Sequence, residues 1–310
     1  MTALTAVACY LPEYRVPIAE LAERLSLRER DIQLFQRFFG LSQVCRDPDG
    51  TLTDLLLAAT ANLSELAGQE RRIRYLVYAR GSAATVPYPL NPVHEVAAKF
   101  GLQHASAFTV TNHACANGLL AIDLAGRLLR ADGDDDGLAL ILTGEKTFTR
   151  DAELVPETSI FSEAAAACLV SAKEEADRVL AYASSMKGEF DAWATSREEA
   201  FARYSQAYPE CLAEVLLAAL AQAGLSWDDI TLVLPHNVNT VSWRRLAKRL
   251  GLPAGKVLLD NVATSGHAFA ADPFINYRTA VDTGRLARGD KYLMAAAGLG
   301  AVFSAMVFEH

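Results

Sequence analysis

The chain alternates between short runs that are mostly apolar and longer stretches whose apolar residues recur every three or four positions. The short runs are the length of strands, and their lack of polar alternation predicts burial on both faces. They fall at residues 6–10, 73–79, 105–110 and 138–143, and in the alanine-rich run that follows Phe161-Ser162-Glu163 and ends at Val170. Further runs lie at 179–186, 230–234 and 257–259, and residues 292–297 and 301–308 read as a hairpin around Gly298, Leu299 and Gly300. The longer stretches predict helices at 18–38, 53–67, 93–100, from just after Cys115, and at 211–224, 243–250 and 274–281. Gly40, Gly68, Gly101 and Gly251 stand where four of them should stop. Asp47-Pro48-Asp49-Gly50 and 284–290 are turns, 81–92 is a loop carrying Pro87, Pro89 and Pro92, and 188–206 is polar and aromatic without a clear period. The acidic turn at 132–137 lacks a glutamate at the distance an EF-hand loop requires and reads as solvated.

Strands alternating with helices predict an α/β protein of parallel sheets covered by helices. Both halves share one plan: a long apolar helix, then a strand, then a reactive side chain, then a closing strand pair. That is a sign of internal duplication, with one half at 1–172 and the other at 173–310. The length, 310 residues, also suits two halves better than one.

Composition narrows the classes. The chain is 51% apolar and 21% charged, enough for a large core. A net charge of −8 argues against a general nucleic-acid surface, and no apolar run is long enough to cross a bilayer. The N-terminus has no basic stretch ahead of an apolar one, so no signal peptide is expected. Five scattered cysteines with no C-x-x-C pair indicate neither a disulfide framework nor a zinc site. A cytoplasmic enzyme with reduced thiols is the expectation.

One of those cysteines stands apart. In Thr111-Asn112-His113-Ala114-Cys115-Ala116-Asn117-Gly118, Cys115 sits where a buried strand should turn into a buried helix. The first N–H groups of a helix have no partner within it, and the helix dipole places partial positive charge there. A thiol at such an end ionises more easily, and the thiolate is the nucleophile. The same N–H groups can hold an oxygen that is turning negative. A buried cysteine that merely packs is the alternative.

Five stretches decide for the nucleophile, because in order and spacing they resemble the thiolase superfamily and, within it, the β-ketoacyl-ACP synthase III branch. Tyr10-Leu11-Pro12-Glu13 is similar to the family's first strand exit, and Ala114-Cys115-Ala116-Asn117-Gly118 to its Ala-Cys-Ala-Gly nucleophile segment. Phe161-Ser162-Glu163-Ala164-Ala165 stands where the family reads Phe-Gly-Asp-Gly-Ala, and His236-Asn237-Val238-Asn239 where it reads His-Gln-Ala-Asn. Ala297-Gly298-Leu299-Gly300 stands at its C-terminal glycine-rich loop. The resemblance spans nearly the whole chain. It implies the thiolase fold, five layers αβαβα in two pseudo-duplicated halves, and a homodimer paired beside the nucleophile segment along residues 105–110.

The departures from the family pattern bear on the reaction. Ser265-Gly266-His267-Ala268-Phe269, with Asp272 beyond, replaces the family's Gly-Asn, whose Asn stabilises the enolate formed when malonyl loses CO2. Phe38-Phe39-Gly40 lies where a family Arg would precede the Gly. The pattern resembles the family's acyltransferase offshoots in secondary metabolism. The expected reaction moves an acyl group from acyl-CoA or acyl-ACP through acyl-Cys115 to an acceptor nucleophile, with no resident cofactor and no metal. Decarboxylative 3-oxoacyl-ACP synthesis is the alternative, and an inactive partner subunit is the alternative of another class.

Named roles follow. His236 is the candidate base. His267 orients or shares that role, or is a loop histidine, and Asp272 holds a histidine tautomer or caps a helix beside Pro273. The N–H of Cys115 and one from the Gly298–Gly300 loop form the expected oxyanion hole. His113, Glu145 and Glu163 are expected to be structural. Arg244, Arg245, Lys248 and Arg249 make a basic helix face, either solvated or a dock for an acidic carrier protein.

Overall fold

The structure is a computed structural model and describes residues 1–81, 89–134, 136–173, 177–190, 197–253 and 255–310. Pro87 of the expected loop and Asp135 of the acidic turn lie outside the described residues.

Nine strands form one sheet: β1 (Ala3–Tyr10), β2 (Ile73–Ala79), β3 (Ser106–Val110), β4 (Leu138–Glu145), β5 (Ala164–Ser171), β6 (Arg178–Met186), β7 (Ile230–Pro235), β8 (Lys291–Gly298) and β9 (Val302–Glu309). Their order is β7-β8-β9-β6-β1-β5-β4-β2-β3. Within the first five strands this reads third, second, fourth, fifth, first. The last four repeat it as second, fourth, fifth, first, and a lone parallel bridge from Val257 to Val233 stands in the missing third place. The two runs meet only where Ala3 of β1 pairs with Arg178 of β6.

The sheet is mixed rather than parallel as the sequence suggested. β2 pairs in parallel with β3 and β4, and β7 with β8, whereas β5 and β9 run antiparallel to both neighbours. The alternating pattern hides this, because a strand buried on both faces has the same composition in either direction.

Six helices complete the layers: α1 (Leu52–Ala61), α2 (Pro92–Lys99), α3 (Asn117–Asp132), α4 (Arg197–Ala223), α5 (Thr240–Arg249) and α6 (Asp272–Asp282). α1 and α2 cover the outer face of the first five strands through Leu55, Leu56, Val93 and Val96. α4 and α5 cover the outer face of the last four through Leu212, Leu216, Trp243 and Leu246. α3 and α6 lie between the two halves in a single core, Leu119, Ile122, Phe274 and Ile275 among its members. The result is five layers, αβαβα. Strand residues serve two cores by alternation: Tyr292, Met294 and Ala296 of β8 face the central layer, Leu293, Ala295 and Ala297 the outer one.

Several helices differ from expectation. The stretch 18–38 is broken into a 3-10 turn (Ile18–Leu21), two short helices (Ala22–Leu25, Glu29–Gln33) and a π turn (Leu34–Phe39). Ser26, with φ 54°, ends the first of the short helices. Its apolar residues bury against the small strand pair Arg15–Pro17/Gln43–Cys45 instead of along one helix face. α4 is 27 residues long and runs through Pro209. The proline masked its first half in the sequence, because a missing N–H normally ends a helix. Residues 257–259 make the single bridge and no strand. α1 starts as a capping-box helix, with the Thr51 hydroxyl accepting from Asp54 N–H (3.2 Å).

Candidate active site

The nucleophile segment leaves β3, takes left-handed backbone at Asn112 (φ 76°) and Ala114 (φ 45°), and passes through a 3-10 turn, Ala114–Ala116, into α3. Cys115 therefore lies one tight turn ahead of the helix rather than on its first residue. Non-glycine residues held at such φ values are strained, and here they bend the chain so that the sulfur faces inward. Asn117 ties the turn down: its Oδ1 accepts from His113 N–H (3.3 Å) and its Nδ2 donates to the Arg80 carbonyl. Gly298, at the end of β8, supports the turn from the other side. A Cβ there would stand 2.2 Å from the His113 carbonyl oxygen.

The second-half counterpart of that segment follows the Val257 bridge and leads into α6. Gly266 (φ 66°), where any side chain would be strained and would meet Val44 at 2.8 Å, turns the chain into His267. Nε2 of His267 lies 3.5 Å from Sγ of Cys115. Nδ1 of His267 is bonded to Oδ2 of Asp272, the first residue of α6. Asp272 is fully buried and also accepts from Ala268 N–H (2.8 Å), Asn237 N–H (2.6 Å) and the Asn237 side-chain amide (3.3 Å). These donors hold the carboxylate in place, and it in turn orients the imidazole it faces. The ring of Phe161 stacks on His267 at 4.7 Å and 29°, and on Phe269 at 4.2 Å and 11°. Phe161 and His267 are also joined as a bridge between their backbones.

His236 continues β7, its N–H donating to Ala295 (2.9 Å) and its carbonyl accepting from Trp243 Nε1–H (2.8 Å). Its ring lies 5.8 Å from that of His267. Nε2 is 2.9 Å from the Tyr208 hydroxyl, and Nδ1 is buried without a hydrogen-bond partner among the described residues. The imidazole at the sulfur is thus His267, whereas the sequence pointed first to His236. The two rings are driven apart electrostatically. Burial pushes His236 down to about 3, helped by the positive charge on His267. Burial also works against charge on His267, but Asp272 and Cys115 outweigh it and hold the ring up at about 10.

Cys115, His236 and His267 line one recess, with Phe161, Tyr208 and Leu299 among the other walls, and its space, open mouth included, is ≈ 580 Å³. His113 is not among the lining residues. Glu163 is a buried hub, accepting from Lys146 (2.7 Å), Asp47 N–H (2.8 Å) and Thr147 N–H and hydroxyl (3.1 and 2.8 Å), and Glu145 accepts from Gly81 N–H. On α5, Trp243 and Leu246 face inward and Arg244, Arg245, Lys248 and Arg249 are exposed. Arg249 pairs with Glu210, Arg245 lies over the Phe38 ring (5.7 Å), and Ser242 of the same helix lines the recess. Among the described residues no cluster of three His, Cys, Asp or Glu is arranged for a metal, and no helix is long and apolar enough to cross a membrane.

Residues 220–310 match the family described as 3-oxoacyl-[acyl-carrier-protein] synthase III, C terminal. A β-ketoacyl-[acyl-carrier-protein] synthase III from Sphingopyxis alaskensis is 29% identical over 96% of both chains. Among solved structures, ChlB3, an acyltransferase, superposes with a TM-score of 0.86 at 21% identity, covering 99% of this chain and 97% of that one. The 3-oxoacyl-[acyl-carrier-protein] synthase III of Aquifex aeolicus gives 0.83 at 20% identity over the full length of both. Over nearly its whole length the chain is thus similar to β-ketoacyl-ACP synthase III proteins, and it shares their fold. In the resemblance drawn from the sequence, His236 stands in the His-Gln-Ala-Asn position and His267 in the Gly-Asn position. Tyr208 and Phe161 had no assigned role in the sequence. Tyr204, Tyr208 and Leu212 do recur at helical spacing through Pro209, and that period was the available signal.

Proposed function

We propose that the chain is an acyltransferase in which Cys115, His267 and Asp272 act as a nucleophile, base and orienting acid. The observation that carries this is the chain of contacts from Sγ through both nitrogens of His267 to Asp272. Cys115 gives its proton to His267 and attacks the thioester carbonyl of acyl-CoA or acyl-ACP. The N–H of Cys115 and one from the Gly298–Gly300 turn hold the oxyanion. The C–S bond to the donor breaks, the donor thiol leaves with the proton from His267, and the acyl group stays on Cys115. An acceptor O–H or N–H then attacks, His267 takes its proton, and Cys115 is released. Acylation takes away the Cys115 contribution that helps hold His267 protonated, so the ring yields its proton more readily to the leaving thiol and is then free to take the acceptor's proton in the second step.

Transfer is favoured over decarboxylative condensation because His267, bound to a carboxylate, replaces the family's neutral amide. The exposed cations of α5 lie on the helix whose Ser242 lines the recess, and they suit an acidic carrier protein as donor. An inactive partner subunit would have no use for the Cys115–His267–Asp272 alignment.

Incubation with labelled acyl thioesters, followed by intact mass, tests the reading. Cys115→Ala should abolish the covalent adduct and Cys168→Ala should retain it. Loaded wild-type protein given its acceptor should release ester or amide and no CO2. An adduct that survives Cys115→Ala ends this assignment, and CO2 released in step with product establishes condensation instead.

A further inference from the structure

We propose, on the reading that the second step is transfer, that Tyr208 is a positioning residue that withholds His236 from the reacting thioester. The phenol oxygen lies 2.9 Å from Nε2 of His236, and both side chains are more than nine-tenths buried; in this proposal the phenol is the donor. The rings of Tyr204 (5.8 Å) and Phe303 (6.0 Å) pack on Tyr208 and fix where its hydroxyl points. The other nitrogen of His236, Nδ1, is buried and has no hydrogen-bond partner among the described residues. One ring nitrogen is occupied and the other is walled in, so His236 offers a substrate nothing.

This bears on which reaction the site can run. A malonyl thioester loses CO2 by breaking the bond from its carboxylate to the α-carbon. The electron pair passes into an enolate whose charge sits on the thioester oxygen, and the α-carbon then takes a proton from water. That oxygen needs converging N–H donors in a dry site. His267 supplies one Nε2–H after acylation only once it has taken a proton back from water, which Asp272 still favours. The ring placed to supply a second, 5.8 Å away, is His236. With Nε2 accepting from Tyr208, His236 has no proton there to donate. It is neutral as well, since burial and the charge on His267 push it far below the usual imidazole range. Transfer through acyl-Cys115 does not need this donor. The phenol thus makes the difference between a site with one imidazole donor and a site with two.

Tyr208→Phe keeps the ring and removes the hydroxyl. The experiment measures acyl loading on Cys115 by intact mass and CO2 release from labelled malonyl-CoA and malonyl-ACP, in wild type and variant. The expected result is that Cys115 is still loaded in both proteins, with no CO2 from wild type above background and CO2 release at least tenfold higher in the variant. Loading without any gain in CO2 overturns the role of Tyr208 and leaves the transfer reading standing. CO2 release by the wild type overturns the transfer reading itself, and this inference with it. A measurement on the wild type alone decides the matter if the variant folds poorly. Nitrogen-15 shifts of the His236 ring should show Nε2 unprotonated and Nδ1 protonated from pH 5 to 8. A proton on Nε2 overturns the proposal.

Discussion

His267 and Asp272 lie five residues apart and are joined side chain to side chain through Nδ1 and Oδ2, in a buried turn that ends on the first residue of α6. The short separation means that one local loop, shaped by Gly266, carries both the base and the group that orients it. Asp272→Asn keeps the shape of the site and removes the charge. Turnover should fall by roughly two to four orders of magnitude, the usual worth of an oriented base. The alkaline limit of loading should also move down towards neutral pH, because the carboxylate that holds His267 up at about 10 is gone. A pH–rate profile of loading measures both, and an unmoved alkaline limit would remove Asp272 from the site.

Gly298→Ala places a methyl group where only 2.2 Å separates it from the His113 carbonyl oxygen. The nucleophile turn must shift, at about 1–3 kcal/mol for an overpacked site. The expected outcome is a lower melting temperature and loading slowed far more than in Gly284→Ala. Gly284→Ala is the control for a strained glycine elsewhere: its φ is 66° and its Cβ would meet nothing within 4 Å.

Stability should peak near neutral pH and fall on both sides. His267 has a raised folded value, so its contribution is complete below the ordinary imidazole range and is lost as pH rises through about 10. His236 has a lowered one. Between the ordinary imidazole range and about 3 the unfolded chain takes up a proton that the folded chain refuses, so stability drops as pH falls through that window. Each group alone gives a slope of about 1.4 kcal/mol per pH unit within its window. Chemical denaturation from pH 4 to 10 measures this, and a flat curve would contradict both assignments.

Reversing charge at Arg244 and Lys248, to Glu at both, tests the α5 face. Arg249 is left alone because it pairs with Glu210, and Arg245 because it lies over Phe38. Loading from acyl-ACP should slow by about tenfold or more, and the salt dependence of the wild-type rate should disappear. Loading from a small thioester with neither carrier nor nucleotide should be unchanged. Equal slowing of both donors would mean that the face only stabilises the fold.

β3 ends the sheet, with no strand on its outer edge among the described residues, and four of its five residues are not fully buried. An open edge beside the nucleophile segment is where a second copy would pair. Sedimentation at micromolar concentration should give twice the chain mass of 33.5 kDa, and Thr109→Pro should shift the protein towards monomer. A wild-type monomer would rule this interface out.

The linear pattern by itself determined most of the fold. Runs such as 138–142 and 292–297 are apolar at every position, which only a strand covered on both faces tolerates, and the five ordered motifs placed Cys115, His236 and the Gly298–Gly300 turn. It also brought His267 and Asp272 forward as candidates, because they depart from the family at a fixed place. What it did not determine was strand direction, since burial on both faces leaves the same composition for parallel and antiparallel neighbours. Nor did it yield the full length of α4, where Pro209 reads as a stop unless the helix is seen packing on β9 and β6, with Tyr204 and Tyr208 against Phe303. Above all, the choice between the two histidines lay outside any pattern. His236 and His267 are separated by a helix and a turn in the chain, and each has two nitrogens that can face anything. Only the packing of α3 against α6 brings Nε2 of His267 to Cys115, and only the packing of α4 brings the Tyr208 hydroxyl to His236. Roles set by contacts a few ångströms long, between residues 28 to 152 positions apart, are decided by tertiary structure.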